Sequence, residues 1–124
     1  MAFVSGGGRP DTIPRPRCSL RAFGCTAVDS KDFYVVASIT VPSGRRLHLT
    51  KIVASADDDV MIKIAFGGQD ITGVYYVSGS TVLTDWFPYG WNPLTGDGSK
   101  QVAVLAKASF TSANVCADIC GELE

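Results

Sequence analysis

The segment Val60–Phe66, VMIKIAF, leaves few folds open. Val60, Ile62, Ile64 and Phe66 fall on one side of an extended chain, and Met61, Lys63 and Ala65 fall on the other. That period of two belongs to a strand with one face in a core, because a helix would scatter the same residues around its axis. Just upstream, Leu47–Ala56 reads as a second strand. Asp57-Asp58-Asp59 stands between them, and three consecutive aspartates are poor in strands and favour turns. Leu47–Phe66 therefore predicts a β-hairpin with a solvated acidic turn.

The remainder follows the same pattern. Phe33, Val35, Ala37, Ile39 and Val41 alternate with Tyr34, Val36, Ser38 and Thr40, and Pro42-Ser43-Gly44 then turns the chain. Ile71–Val77 and Thr81–Phe87 read as strands divided by Ser78-Gly79-Ser80. Val102, Val104, Ala106, Ala108 and Phe110 share one face of another strand, and Val115–Gly121 forms the last. Residues 18–28, CSLRAFGCTAV, read as a weak strand interrupted by Gly24. About eight strands at regular spacing, with no helical periodicity, predict an all-β fold. An eight-stranded antiparallel jelly-roll sandwich over residues 18–124 is the economical assembly.

Residues 1–17, MAFVSGGGRPDTIPRPR, break the pattern. Three consecutive glycines and prolines at 10, 14 and 16 can build neither a helix nor an interior strand. They predict an extended N-terminal arm, able to span about 55 Å at ~3.3 Å per residue. Its apolar residues Phe3, Val4 and Ile13, interspersed with Arg9, Arg15 and Arg17, fit folding on a partner surface better than permanent solvation.

Charge is unevenly placed. The 124-residue chain has a net charge of -1, which argues against general nucleic-acid binding. Residues 1–22 nevertheless carry four arginines against Asp11 alone, so the basic charge sits in the arm. No stretch reaches the roughly 20 apolar residues of a membrane span, and the N-terminus lacks the apolar run of a secretory signal, so synthesis in the cytosol is expected.

Four cysteines follow from that expectation as thiols. Cys116 and Cys120, four apart in one strand, would lie about 13 Å from each other, beyond the ~7 Å limit for a bridge. Cys18 with Cys25, or either with the C-terminal strand, stays open, but a cytosolic origin favours buried free thiols. Zinc finds no CxxC pair and a single histidine, His48.

Catalytic constellations are poorly supplied. A metal enzyme on a small jelly roll needs several converging histidines, and His48, between Leu47 and Leu49, reads as structural. Ser-His-Asp chemistry lacks a GxSxG elbow, and a Cys-His pair has no positional support. Asp57–Asp59 cannot converge on calcium from consecutive strand or turn positions. Gly6-Gly7-Gly8 lacks the GK[ST] ending of a phosphate loop. No enzyme activity and no cofactor are expected.

Aromatic residues concentrate at Trp86, Phe87, Tyr89 and Trp91, where a strand gives way to the turn-rich connection 88–98. Exposed aromatics in such a loop stack on sugar rings or anchor protein contacts. Packing comes first for Trp86, while Tyr89 and Trp91 divide evenly between packing and contact. Apolar residues on both faces of several strands, such as Tyr34, Val36 and Leu105, point to partial covering by another copy.

Taken together, LTKIVASADDDVMIKIAF, the TDWFPYGW segment, a GDG turn and a terminal strand ending ICGE resemble the small jelly-roll decoration (cement) proteins of tailed bacteriophage capsids, over roughly residues 33–122. The resemblance implies a homotrimer on the capsid exterior of the virion, with the major capsid protein as partner and residues 1–17 as a clamp across neighbouring subunits. A carbohydrate-binding jelly roll on a virion or fibre, with glycan stacked on Trp86, Tyr89 and Trp91, is the competing expectation.

Overall fold

The computed structural model describes residues 18–87 and 93–124. Ten antiparallel strands and no helix occur among them. They are β1 (Leu20–Asp29), β2 (Tyr34–Thr40), β3 (Arg46–Ala56), β4 (Val60–Phe66), β5 (Gln69–Asp70), β6 (Tyr75–Val77), β7 (Val82–Trp86), β8 (Leu94–Thr95), β9 (Gln101–Ala108) and β10 (Ser112–Leu123). One sheet has the order β1-β10-β3-β7, with β8 also on β3. The second has the order β2-β9-β4-β5, with β6 also on β4.

The two sheets face each other across one apolar core. β10 contributes Ala113, Val115, Ala117 and Ile119, and β3 contributes Leu47, Leu49, Ile52 and Ala54. From the other sheet come Val60, Ile62 and Ile64 of β4 and Val102, Val104, Ala106 and Ala108 of β9. Each strand has one face in this core, and in β3 that face changes from Leu47 and Leu49 to Ile52 and Ala54 where its pairing with β10 shifts between Cys120 and Gly121. The molecule is thus a β-sandwich of two antiparallel sheets.

Several expectations need correction. β3 and β4 exist, and the chain turns at Asp57–Asp59, but they do not form a hairpin: β3 pairs with β10, β7 and β8, whereas β4 pairs with β9, β5 and β6. The turn is an arch that carries the chain from one sheet to the other. Both strands have an apolar face, and facing each other across the core buries both at once. The expected strand over 71–77 shrinks to Tyr75–Val77, preceded by the two-residue β5, and β8 lies within the connection expected to be loop alone.

The strand at Tyr34–Thr40 changes phase midway. Its pairing with β9 shifts between Val35 and Ala37, so that Val36 and Ala37 are both buried. Before this bulge Val35 points outward, 54% exposed, and after it Ile39 and Val41 point into the core. The expected common face of Phe33, Val35, Ala37, Ile39 and Val41 is therefore split. Val36, expected on the outside, lies inside.

Gly24 does not interrupt β1, which runs unbroken through it in register with Ala117 of β10. A Cβ built on Gly24 would lie 2.1 Å from the carbonyl oxygen of Val36. The edge strands of the two sheets thus approach each other more closely there than any side chain allows.

All four cysteines are paired, contrary to the expected thiols: Cys25 with Cys116 and Cys18 with Cys120. The register explains both. Cys25 lies directly opposite Cys116, with Cα atoms 4.0 Å apart, and Cys18, just ahead of β1, comes within 5.3 Å of Cys120. Each pair spans a large separation, 91 and 102 residues. In the chain-entropy view the first to close is worth roughly 4–5 kcal/mol, and the second, closing a short ring through residues 18–25 and 116–120, roughly 3 kcal/mol.

Candidate functional site

Three places carried functional expectations. The arm residues Phe3, Val4, Arg9, Ile13, Arg15 and Arg17 lie outside the described residues, as do Tyr89 and Trp91 of the aromatic loop. Trp86 and Phe87 are described, and neighbouring positions in the chain send them in opposite directions. Phe87 packs against the core and its backbone N–H donates to the carbonyl of Thr50 (2.9 Å). Trp86 stands on the outer face, 52% exposed, with the Lys51 Nζ 5.0 Å from its ring centroid. The packing role expected of Trp86 belongs to Phe87, because β7 begins its alternation with exposed Val82 and turns its odd-numbered positions partly inward.

Register arranges the outer face of the β1-β10-β3-β7 sheet in three rows. The first runs Arg21, Cys120, Lys51, Trp86, the second Phe23, Asp118, Val53, Thr84, and the third Cys25, Cys116, Ser55, Val82. Phe23 is 71% exposed, and Val82 is also exposed. Arg21 donates Nε and Nη2 to the two carboxylate oxygens of Asp118, at 3.1 and 2.8 Å. This forked pair, with its hydrogen bonds first and its charge second, raises the guanidinium pKa above the usual value. The face therefore combines aromatic and aliphatic surface, one fixed ion pair and two cystines.

The opposite face is differently furnished. Phe33 is held between two ammonium groups, with Lys63 Nζ 4.4 Å and Lys107 Nζ 5.7 Å from its centroid. Lys63 also pairs with Asp70 at 3.1 Å. The same sheet carries an open depression of about 450 Å³ lined by Val35, Ala65, Gly67, Lys100, Ala103 and Leu105 among others. Phe33 and Val35 reach this face through the phase change at Val36, which local alternation could not signal.

The residues that invited catalytic readings have structural partners. His48 is buried, and its Nε2 lies 2.7 Å from Glu124 Oε1, while Arg46 donates to Glu124 Oε2 at 2.6 Å. These two contacts, that to His48 foremost, hold the Glu124 carboxyl below its ordinary range. The three aspartates diverge. Asp57 accepts the backbone N–H and side-chain amide of Asn114, both at 2.8 Å, Asp58 accepts the N–H of Asp59, and Asp59 accepts the N–H of Gly79. The solvated turn is thus a hydrogen-bonded corner. Bonds from Asn114, the backbone one first, lower the Asp57 pKa. The signal that was missed, a turn aspartate answering an asparagine 57 residues away, is not local in the sequence.

Compared with family models, with curated proteins and with solved structures, the chain matches none.

Proposed function

We propose that this protein is a non-enzymatic structural protein of a virion, a jelly-roll decoration protein that binds the outside of a phage capsid as a homotrimer and reinforces the shell. The observation that carries the reading is the fastening of β1. The stretch that follows residues 1–17 is tied twice to β10, which lies between β1 and β3: Cys18, just ahead of β1, to Cys120, and Cys25 of β1 to Cys116. A basic arm that clamps a neighbouring subunit transmits load to its root, and a root cross-linked into the sandwich bears it. Three arms on one trimer act as a multivalent unit, so modest contacts by Phe3, Val4, Ile13, Arg9, Arg15 and Arg17 add up to firm attachment to the major capsid protein.

The strand order supports the jelly-roll part of the reading. With the two-residue β5 and β8 set aside, the remaining eight strands in chain order give sheets 1-8-3-6 and 2-7-4-5. That is the order produced when a long four-pair antiparallel ribbon rolls up on itself. Apolar side chains on both outer faces, Phe23 and Trp86 on one and Val35 on the other, offer surface to further copies and to the shell. Synthesis in the host cytoplasm followed by assembly on the capsid exterior completes the reading.

The test compares the full chain with a chain lacking residues 2–17. The expected result is a trimer by light scattering in both cases, with capsid binding lost on truncation. Undiminished binding, or a monomeric full chain, rejects the reading. A second reading, a glycan-binding module, is favoured by the half-exposed Trp86 ring at the edge of the aromatic loop. Glycan-array signals lost in Trp86→Ala and Trp91→Ala would replace the first reading with the second.

A further inference from the structure

β1 pairs with β10 along its whole length but buries less side chain than that length implies. It is an edge strand with one sheet neighbour, and of its inward positions Leu20, Ala22, Gly24, Thr26 and Val28 only Val28 is fully buried. Two of these positions carry little or no side chain, and a third is polar. Opposite them β10 buries Ala113, Val115, Ala117 and Ile119 and is held by β3 as well. β1 therefore gives the core Val28, with Leu20 and Ala22 packed against it, a smaller apolar share than that of β10. One cystine, Cys25–Cys116, joins these two strands directly, and the other ties Cys18, just ahead of β1, to Cys120 of β10. Cys18 and Cys25 are exposed, so a dissolved thiol or disulfide reaches one sulfur of each pair.

We infer that β1 is an oxidation-gated strand, fastened in the cystine form and released from the remaining sandwich when the cystines are reduced. The gate operates by thiol–disulfide exchange with a small disulfide of the glutathione class. The thiolate of Cys25 attacks that disulfide, forming a mixed disulfide and expelling one small thiolate. The thiolate of Cys116 then attacks the Cys25 sulfur and expels the second. Two protein thiols lose two electrons and two protons, and one small disulfide is reduced to two thiols. Cys18 and Cys120 close in the same way, and a dithiol reductant reverses both steps. A reducing compartment therefore holds the strand open and an oxidising one locks it. The inference stands independently of what residues 1–17 bind.

Hydrogen exchange followed by mass spectrometry tests it on the full chain, after incubation with glutathione disulfide and again in excess dithiothreitol. The expected result is exchange of residues 20–29 at least tenfold faster on reduction, with 46–56, 60–66 and 101–108 changing less than about twofold. The variant combining Cys18→Ser, Cys25→Ser, Cys116→Ser and Cys120→Ser should match the reduced protein and ignore dithiothreitol. Unchanged protection of residues 20–29 overturns the inference. So does uniform loosening of every strand, which makes the cystines general staples. Four free thiols by alkylation after glutathione disulfide treatment overturn it as well. Because the wild-type chain is read in both states, the result does not depend on the serine variant folding.

Discussion

The Cα of Gly24 sits so close to the carbonyl of Val36 that a methyl group at position 24 would fall 2.1 Å from the oxygen. Gly24 belongs to the edge strand of one sheet and Val36 to the bulge of the edge strand in the other. The bulge turns both Val36 and Ala37 inward, and the missing side chain of Gly24 gives the two backbones room to meet. Sandwich closure along this edge depends on that complementarity.

Gly24→Ala is accordingly expected to destabilise the fold although alanine suits a strand at least as well as glycine. The neighbouring atom is backbone and cannot swing aside, so one edge strand must shift. Overpacking of this kind costs about 1–3 kcal/mol. Urea unfolding of the oxidised protein measures it, and Ala27→Gly, on the exposed side of the same strand, serves as the comparison expected to change little.

Gly24 also marks where local reading of the sequence stops. A glycine amid CSLRAFGCTAV reads as a break because glycine is depleted in strands, and its real partner is a carbonyl brought near by a bulge. The alternation of Val60–Phe66 and of Val102–Ala108 was legible, since burying one face of a strand writes itself into every second residue. Which strand pairs with which was not. An acidic turn serves a hairpin and an arch equally well, and what distinguishes them is the pairing of β3 with β10 and of β4 with β9, strands far along the chain. The cystines were hidden for a related reason, because pairing depends on the register of β1 against β10, and an expectation of a reducing compartment weighed against it. Trp86 and Phe87 exchanged roles through a one-residue difference in strand phase.

The corner at Asp57 yields a second expectation. Asp57→Ala removes the acceptor for both the Asn114 backbone and side-chain donors, whereas Asp58 accepts only from the next residue. Asp57→Ala should lower the urea midpoint and Asp58→Ala should leave it nearly unchanged. In a double-mutant cycle Asp57→Ala and Asn114→Ala should be less than additive, because either one breaks the shared side-chain bond. Full additivity would show that the corner is held by something else.

Acid should weaken the fold through a defined set of carboxylates. Asp97 accepts the N–H of Ser99, the N–H of Lys100 and the Ser99 hydroxyl, all at 2.8 Å, and these bonds lower its pKa to about 2 from the ordinary 3.8. Asp57 and Glu124 shift in the same direction. A folded-state value below the unfolded one adds stability that is present above the unfolded value and lost as pH falls through the folded one. Urea midpoints should therefore drop between about pH 4 and pH 2, and Asp97→Ala should flatten that slope while lowering the midpoint at neutral pH. An unchanged slope in the variant would remove Asp97 from the account.

Trp86 and Phe87 form a paired test of the aromatic segment. Trp86→Ala removes a ring already half in water and should change stability by no more than about 0.5 kcal/mol. Phe87→Ala removes a ring packed on the core and should cost roughly 1–3 kcal/mol. Any binding lost in Trp86→Ala at unchanged stability is then attributable to the exposed ring. Equal destabilisation by both variants would contradict the opposed orientations.

Tyr75 ties the two sheets together on the side away from β1. Its hydroxyl donates to Asp85 Oδ2 at 2.7 Å, linking β6 of one sheet to β7 of the other. Burial first, then the hydrogen bond and charge of Asp85, push its pKa from 10.0 up to about 12. The neutral phenol is the form the fold favours, so this contribution is complete below pH 10 and is lost as pH rises through about 12. Tyr75→Phe should cost about 1 kcal/mol at neutral pH, the worth of a typical hydrogen bond, and should abolish this part of the alkaline loss. Ultraviolet titration should show a phenolate transition near pH 12 that the variant lacks, apart from that of Tyr34, which its hydrogen bond to Asp29 also raises. If that transition persists in Tyr75→Phe, the bridge between β6 and β7 is not its source.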